Sequence, residues 1–305
     1  MIKSCVIGLS KIGQIHCSNL KKIKKTKLSY VYDVDPKLRK KISKKYNCLS
    51  SPDFNTILKD KSIKLFIIAS PTTTHEYYLT KLINHKKMIY CEKPISLDSN
   101  KLNSLIKKIT VNKIKICIGL NRRYSNPYLK MKKILKNRKV KIAQIISRSF
   151  KANVNQSVRN GGLFMDKGFH FFDLANWFVN SIPKNIVTIA KSISRKEFLD
   201  KKDFSDAIIN MKFGNGSIVE FIFSRTSRNG HEERIKLFGN NFIIDSDKYF
   251  RKNTLYKNFD IKHKDSYLNC LKDFIYKDKT ILLNEGIQTQ RICSSVLKSA
   301  QKNNY

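Results

Sequence analysis

With 305 residues, the chain exceeds one ordinary open domain and suffices for two, each with its own core. A hydrophobic share of 41% excludes a disordered chain, and no apolar run approaches the ~18 residues that a membrane span requires. The formal net charge of +38 invites a polyanionic partner, but the lysines are spread through stretches such as Lys21 to Lys27, Lys37 to Lys45 and Lys130 to Lys141 where arginine is scarce, so dedicated nucleic-acid binding is not expected; compositional drift explains the charge as well as a taste for anionic substrates does.

Ile2 to Gly8 reads as a buried strand, followed by a helical pattern on Ile12, Ile15, Leu20 and Ile23. Between them lies Gly8-x-Ser10-x-x-Gly13, a dinucleotide-binding turn whose middle glycine is replaced by serine. Gly8 permits the tight turn, Gly13 lets helix and strand pack closely, and the helix N-terminus is where a pyrophosphate would sit. The short apolar run Cys5 to Leu9 leads straight into this turn, which reads as a first strand and not as a signal peptide; a cytoplasmic protein is expected. A second strand, Leu28 to Tyr32, ends at Asp33, roughly 20 residues after the turn, where an acid grips ribose hydroxyls. Asp33 repels a 2′-phosphate and favours NAD; Lys37 and Arg39 follow closely and leave NADP open.

Alternation continues with a short helix Pro52 to Leu58, a strand Leu65 to Ala69, a segment Ser70 to His75 that turns into a helix running to about His85, a strand Met88 to Cys91, a helix after Asp98 and a strand Lys115 to Gly119. Such alternation with continuous apolar strands means a doubly wound parallel sheet, with ligand at the strand C-termini. Gly8, Asp33, Ser70, Pro71 and Lys93 all fall at such ends. A domain boundary is expected near Gly119 to Asn121, giving units 1–120 and 121–305.

Past a helical stretch Pro127 to Leu135 and a strand near Val140 to Phe150 comes Gly161 to Trp177, in which Asp166, His170 and Asp173 recur at i, i+4 and i+7. A helix puts all three on one face, among Phe169, Phe171, Phe172, Leu174 and Trp177. Read alone, the cluster is a proton-transfer site, a buried polar network or a metal site. Strand-like runs follow at Asn185 to Ser192, Ala207 to Phe213, Ser217 to Phe223, Arg234 to Phe238 and Phe242 to Asp245, with a hairpin signal at Gly214-Asn215-Gly216, which predicts a large, mostly antiparallel open sheet. Helices Tyr267 to Tyr276 and Glu285 to Gln301 close the chain. Seven scattered cysteines without a C-x-x-C argue against disulfides and a zinc ribbon.

Together the glycine turn with His16, the run Ser70 to His75, Glu92-Lys93-Pro94, Asn121 to Tyr124, Gly161-Gly162 leading to Asp166, His170, Asp173 and Trp177, and the hairpin resemble the Gfo/Idh/MocA oxidoreductase family. The resemblance implies a Rossmann domain, a C-terminal α/β domain for substrate binding and oligomerisation through its sheet (a homodimer or tetramer), and a catalytic set of Lys93, Asp166 and His170. It sets the metal reading aside. It also suggests a strained, cis Lys93–Pro94 bond. Cofactor contacts are expected from Gly8, Ser10, Lys11, Ile12, Gly13, Asp33, Ser70, Pro71, Thr72, His75, Glu92, Lys93 and Asn121, although His75 also suits capping or packing of its helix. Substrate contacts are expected from Lys93, Arg123, Asp166, His170 and Tyr267. Arg225 and Arg228, in a turn-like SRTSRNG, suit either a phosphorylated substrate or an exposed loop; His16, His85, His231 and His263 read as structural or exposed.

The implied activity is hydride transfer between NAD(P) and a secondary alcohol of a sugar, a cyclitol or a nucleotide sugar. An NAD-dependent glycosidase and a non-catalytic sugar sensor are the alternatives.

Overall fold

A computed structural model describes residues 1–150, 153–227, 230–250 and 263–302. The chain forms two compact units, Met1–Leu120 with Tyr267–Ile287 and Asn121–Ser266 with Gln288–Tyr305. A single cut after residue 120 therefore misassigns Tyr267–Ile287, which packs with the first unit.

In the first unit, β1 (Ile2–Ile7), β2 (Thr26–Tyr32), β3 (Leu49–Ser50), β4 (Ile63–Ile68), β5 (Met88–Cys91) and β6 (Ile116–Ile118) form one parallel sheet in the order β3-β2-β1-β4-β5-β6. The intervening helices are α1 (Lys11–Lys22), α2 (Pro36–Tyr46), α3 (Phe54–Lys59), α4 (His75–Asn84) and α5 (Ser99–Val111). Helix starts follow local chemistry: Asp35, Asp53 and Asp98 each accept backbone N–H bonds from the first turn behind them. Burial on both faces explains the apolar strands; Cys5, Val6, Ile7 and Leu65 to Ile68 are fully buried. The order reverses between β1 and β4, and this switch point opens the crevice where such sheets bind ligand. Register aligns the strand ends there: Ile7 is opposite both Tyr32 and Ile68, and Ile68 is opposite Cys91.

In the second unit, β7 (Ile142–Arg148), β8 (Pro183–Lys191), β9 (Asp206–Phe213), β10 (Ile218–Ser224), β11 (Glu232–Gly239) and β12 (Phe242–Asp245) form a sheet in the order β12-β11-β7-β10-β9-β8. Only the β7–β10 pair is parallel, so the sheet is mixed with an antiparallel majority. Its strands alternate, as in the buried–exposed pattern of Ala207 to Phe213. On the buried face, Phe221 and Phe223 meet Phe172 at ring separations of 5.0 and 5.7 Å. Phe172 belongs to α8 (Phe169–Val179), which follows α6 (Asn126–Leu135) and the short α7 (Val154–Arg159). The last helices, α9 (Lys264–Lys277) and α10 (Leu283–Lys302), straddle the division of units. The opposite face of the sheet exposes Ile142, Val187, Ile189, Ile208, Ile218 and Ile243.

Candidate active site

In the first unit the switch point is built from backbone. Gly8 has φ +85°, and a Cβ there would stand 2.4 Å from Ser70 N and Cα. A Cβ on Gly13 would lie 1.8 Å from the Gly8 carbonyl oxygen. The two glycines thus let β1, the turn and α1 nest against the end of β4. Ser10 caps α1 by position but makes no side-chain capping bond, and both Ser10 and Lys11 are exposed at the helix start. Asp33, past the end of β2, accepts Leu9 N at 2.7 Å on Oδ2 and Asp35 N at 3.0 Å on Oδ1, which aims its carboxylate at the glycine turn. Arg39 Nη1 donates to the Asp33 carbonyl at 2.6 Å. A helix N-terminus behind a turn that admits no side chain, with an acid beside it, fits a dinucleotide pyrophosphate and its ribose.

Ser70, Pro71 and Thr72 line the neighbouring end of β4; Ser70 Oγ and Thr74 Oγ1 lie 2.7 Å apart, and Thr72 is buried. His75 is buried beneath them, with Nδ1 2.7 Å from the Pro94 carbonyl and Nε2 3.0 Å from the Ser70 carbonyl. Burial holds its pKa below the ordinary value, against the pull of both carbonyls and Glu92. His75 therefore ties the β4 loop to the β5 loop and packs, with both ring nitrogens taken by backbone. Glu92 is likewise committed inside the unit: its Oε1 lies 2.8 Å from Nε2 of the fully buried His16. Tyr90 and Tyr267 meet the His16 ring edge-on at 5.0 and 5.8 Å, and Tyr267 is itself buried. Lys93, between Glu92 and the cis Lys93–Pro94 bond, is half-buried.

In the second unit the 161–177 stretch is not one uniform helix. Leu163–Gly168 winds as a single π turn, with Asp166 and Lys167 in it, before α8 begins. His170 is buried on the first turn of α8 and Asp166 is half-buried. Asp173 is committed elsewhere: Arg123 chelates it through Nε at 2.9 and 3.1 Å and Nη2 at 2.7 Å, with the carboxylate 1% exposed. That pairing uses the guanidinium edge expected to meet substrate. Asn121, fully buried, donates from Nδ2 to Ser266 Oγ at 2.8 Å. Arg225 is no exposed loop residue: its guanidinium is buried, 3.6 Å from Asp203 Oδ2 and 4.8 Å over the Phe198 ring. Arg228 lies outside the described residues. His263 is buried against Glu233 at 2.8 Å, and Glu233 is gripped by Arg122 at 2.9 and 3.1 Å.

One group escaped the sequence reading. Lys167 is half-buried and donates to the Ser224 carbonyl at 3.0 Å. Burial and the nearby Arg225 push its pKa down to about 7, against the opposing pull of Glu233 and Asp166. Its adjacency to Asp166 was the available signal.

Residues 2–120 match the model of an oxidoreductase family with an NAD-binding Rossmann fold, and residues 139–244 match the GFO/IDH/MocA C-terminal domain. Among curated proteins, the chain is 26% identical over 292 residues to myo-inositol 2-dehydrogenase of Thermotoga maritima, covering 90% of this chain and 87% of the relative. It is 24% identical over 286 residues to inositol 2-dehydrogenase of Rhizobium meliloti, covering 88% and 86%. Among solved structures, scyllo-inositol dehydrogenase of Lactobacillus casei with bound NAD(H) and scyllo-inositol superposes with a TM-score of 0.90 at 20% identity, over 99% of this chain and 98% of that one. The chain is an NAD-binding oxidoreductase of the Gfo/Idh/MocA family.

Proposed function

We propose that the protein is a dehydrogenase that oxidises a secondary alcohol of a cyclitol or a sugar, with Lys93, Asp166 and His170 as its working side chains. The observation that carries this reading is the division of labour along 166–173. Asp173 is paired with Arg123, while the half-buried Asp166 and the buried His170 share their stretch with the half-buried Lys167 and the buried Phe169, Phe171 and Phe172. A buried imidazole four residues from a carboxylate, among aromatic rings, is suited to moving a proton.

When bound, NAD supplies the hydride acceptor. His170 takes the proton of the reacting hydroxyl. The Lys93 ammonium donates to the same oxygen and stabilises the charge that builds there. Asp166 orients the imidazole or a neighbouring hydroxyl. Gly8, Ser10, Lys11, Ile12, Gly13 and Asp33 hold the dinucleotide, with Ser70, Pro71 and Thr72 beside them. His75 and Glu92 serve this cradle from beneath, by tying its loops. Curated relatives named for inositol favour a cyclitol over a nucleotide sugar.

The test is nicotinamide reduction with NAD and with NADP against inositols, aldoses and UDP-linked sugars. An absorbance rise on one member with NAD, reduced at least ~100-fold in Lys93→Met and in His170→Ala, with cofactor affinity unchanged in His170→Ala, is expected. Full turnover in His170→Ala at saturating substrate overturns the assignment of the base. Silence across the panel with cofactor bound overturns the dehydrogenase reading.

A further inference from the structure

The turn that carries Asp166 is held from outside itself. At its start, Leu163 N donates to Asp203 Oδ1 at 2.9 Å, across forty residues of sequence. Ser157 Oγ donates to the other oxygen of the same carboxylate at 3.4 Å. Gly162, at φ +77°, makes room for this contact, since a Cβ there would stand 2.5 Å from Asp203 Oδ1. Asp203 is in turn held by the buried Arg225, whose Nη2 lies 3.6 Å from Oδ2 and whose Nε donates to the Phe204 carbonyl at 3.3 Å. Arg225 is locked to the same segment by its own backbone, its N–H donating to the Ser205 carbonyl at 2.8 Å. At the far end of the turn, Lys167 Nζ donates to the carbonyl of Ser224, the residue before Arg225, at 3.0 Å. Both ends of the turn therefore terminate on one place, the adjoining ends of β9 and β10.

We infer that Asp203, Arg225 and Lys167 form a clasp that positions Asp166, and that Asp203 and Arg225 are positioning residues of the active site; this rests on the reading that Asp166 works in catalysis. The physical reason is the geometry of a π turn. It is a rarer winding than the α-helix that follows, found mostly as single turns and frequently at functional sites. Its first N–H has no partner within the winding and needs one outside. Asp203 supplies that partner with a charged acceptor, the stronger kind. Arg225, itself buried, sets an opposite charge beside this carboxylate. The SRTSRNG arginine that suggested a phosphate contact acts here as a structural counter-ion.

The decisive experiment pairs Asp203→Ala with Asp203→Asn, which keeps an oxygen for Leu163 N. It reads amide hydrogen exchange peptide by peptide, NAD affinity by calorimetry, and turnover on the substrate found above. Asp203→Ala is expected to speed exchange of residues 163–168 at least ~10-fold while β9 and β10 exchange as in the wild type. It should lower kcat about 10- to 100-fold, with NAD affinity within about twofold. Asp203→Asn should recover most of both losses. Wild-type exchange at 163–168 and wild-type kcat in a folded Asp203→Ala protein overturn the clasp. So does equal loss in both variants with exchange raised throughout the second unit, the signature of a purely structural role. If Asp203→Ala does not fold, Lys167→Met releases the other end, and unchanged local exchange and kcat there overturn the inference. A loosened turn in Asp203→Ala alongside full turnover in His170→Ala supports the clasp and overturns the reading of the site instead.

Discussion

His75 shows how one buried side chain joins two loops that ligand must find in register. A neutral imidazole has one N–H, yet both its nitrogens face carbonyls, so the fold holds a group that would gain contacts on protonation and is denied it by burial. Its folded pKa lies below the ordinary 6.5, so the unfolded chain binds the extra proton first. Stability from this group is complete above pH ~6.5 and is lost as pH falls through the lowered value. Urea midpoints between about pH 7.5 and 5 should therefore fall, and in His75→Gln that part of the slope should vanish at a cost of about 1–3 kcal/mol near neutrality. A wild-type slope retained in His75→Gln would locate the titration elsewhere. Lys167 carries the same kind of sign. Its amine is held near pH 7, well below the ordinary 10.5, so the folded state is penalised while the amine must be charged, and the penalty fades as pH rises from about 7 to 10.5. Lys167→Met should thus be more stable than wild type near pH 7, with the difference shrinking toward pH 10, while turnover drops.

The first element of the chain makes the cofactor turn a matter of distances. Because a Cβ on residue 13 would sit 1.8 Å from the Gly8 carbonyl, Gly13→Ala must push α1 away from β1. Calorimetry should record NAD affinity down at least ~100-fold, with circular dichroism little changed; unaltered affinity would mean the helix start does not hold the dinucleotide. This element was legible in advance because its signals are local: a strand, two glycines at fixed spacing and an acid about twenty residues on. The same holds for the alternating strands of the second sheet. What was not legible depends on contacts that no spacing encodes. Asp203 meets Leu163, Arg123 meets Asp173 and His16 meets Glu92 across long stretches of chain, and Arg225, in a run that suits an exposed loop or a phosphate contact, is a buried partner of Asp203. The π turn was missed because the i, i+4, i+7 pattern assumes uniform α winding, and Asp166 lies on a different one. Tyr267 went to the wrong unit because helices at the C-terminus were assigned by sequence order, whereas its ring packs on His16.

At the scale of the whole molecule, two features call for an account, the charge of +38 and the apolar outer face of the second sheet. The two are linked through association. A large net charge opposes self-association by repulsion, more so at low salt. Against it stands a face where Ile189 is opposite Ile208 and Ile218 is opposite Ile142 across paired strands, each about half exposed or more in the single chain. Exposed isoleucines paired across neighbouring strands of that kind mark an interaction surface, and a second copy of this chain is the proposed occupant. The strands contribute alternate residues to it, so a single buried-to-exposed register is enough to present all of them together. Light scattering behind a sizing column should accordingly show an oligomer that is stabilised by moderate salt, as screening relieves the repulsion and leaves the apolar contact. The double variant Ile189→Lys with Ile218→Lys should dissociate it to monomers without changing the circular dichroism of the fold. A wild-type protein that is monomeric at all salt concentrations, or a double variant that stays assembled, would place the self-contact on another face or remove it, and leave these isoleucines as ordinary exposed residues.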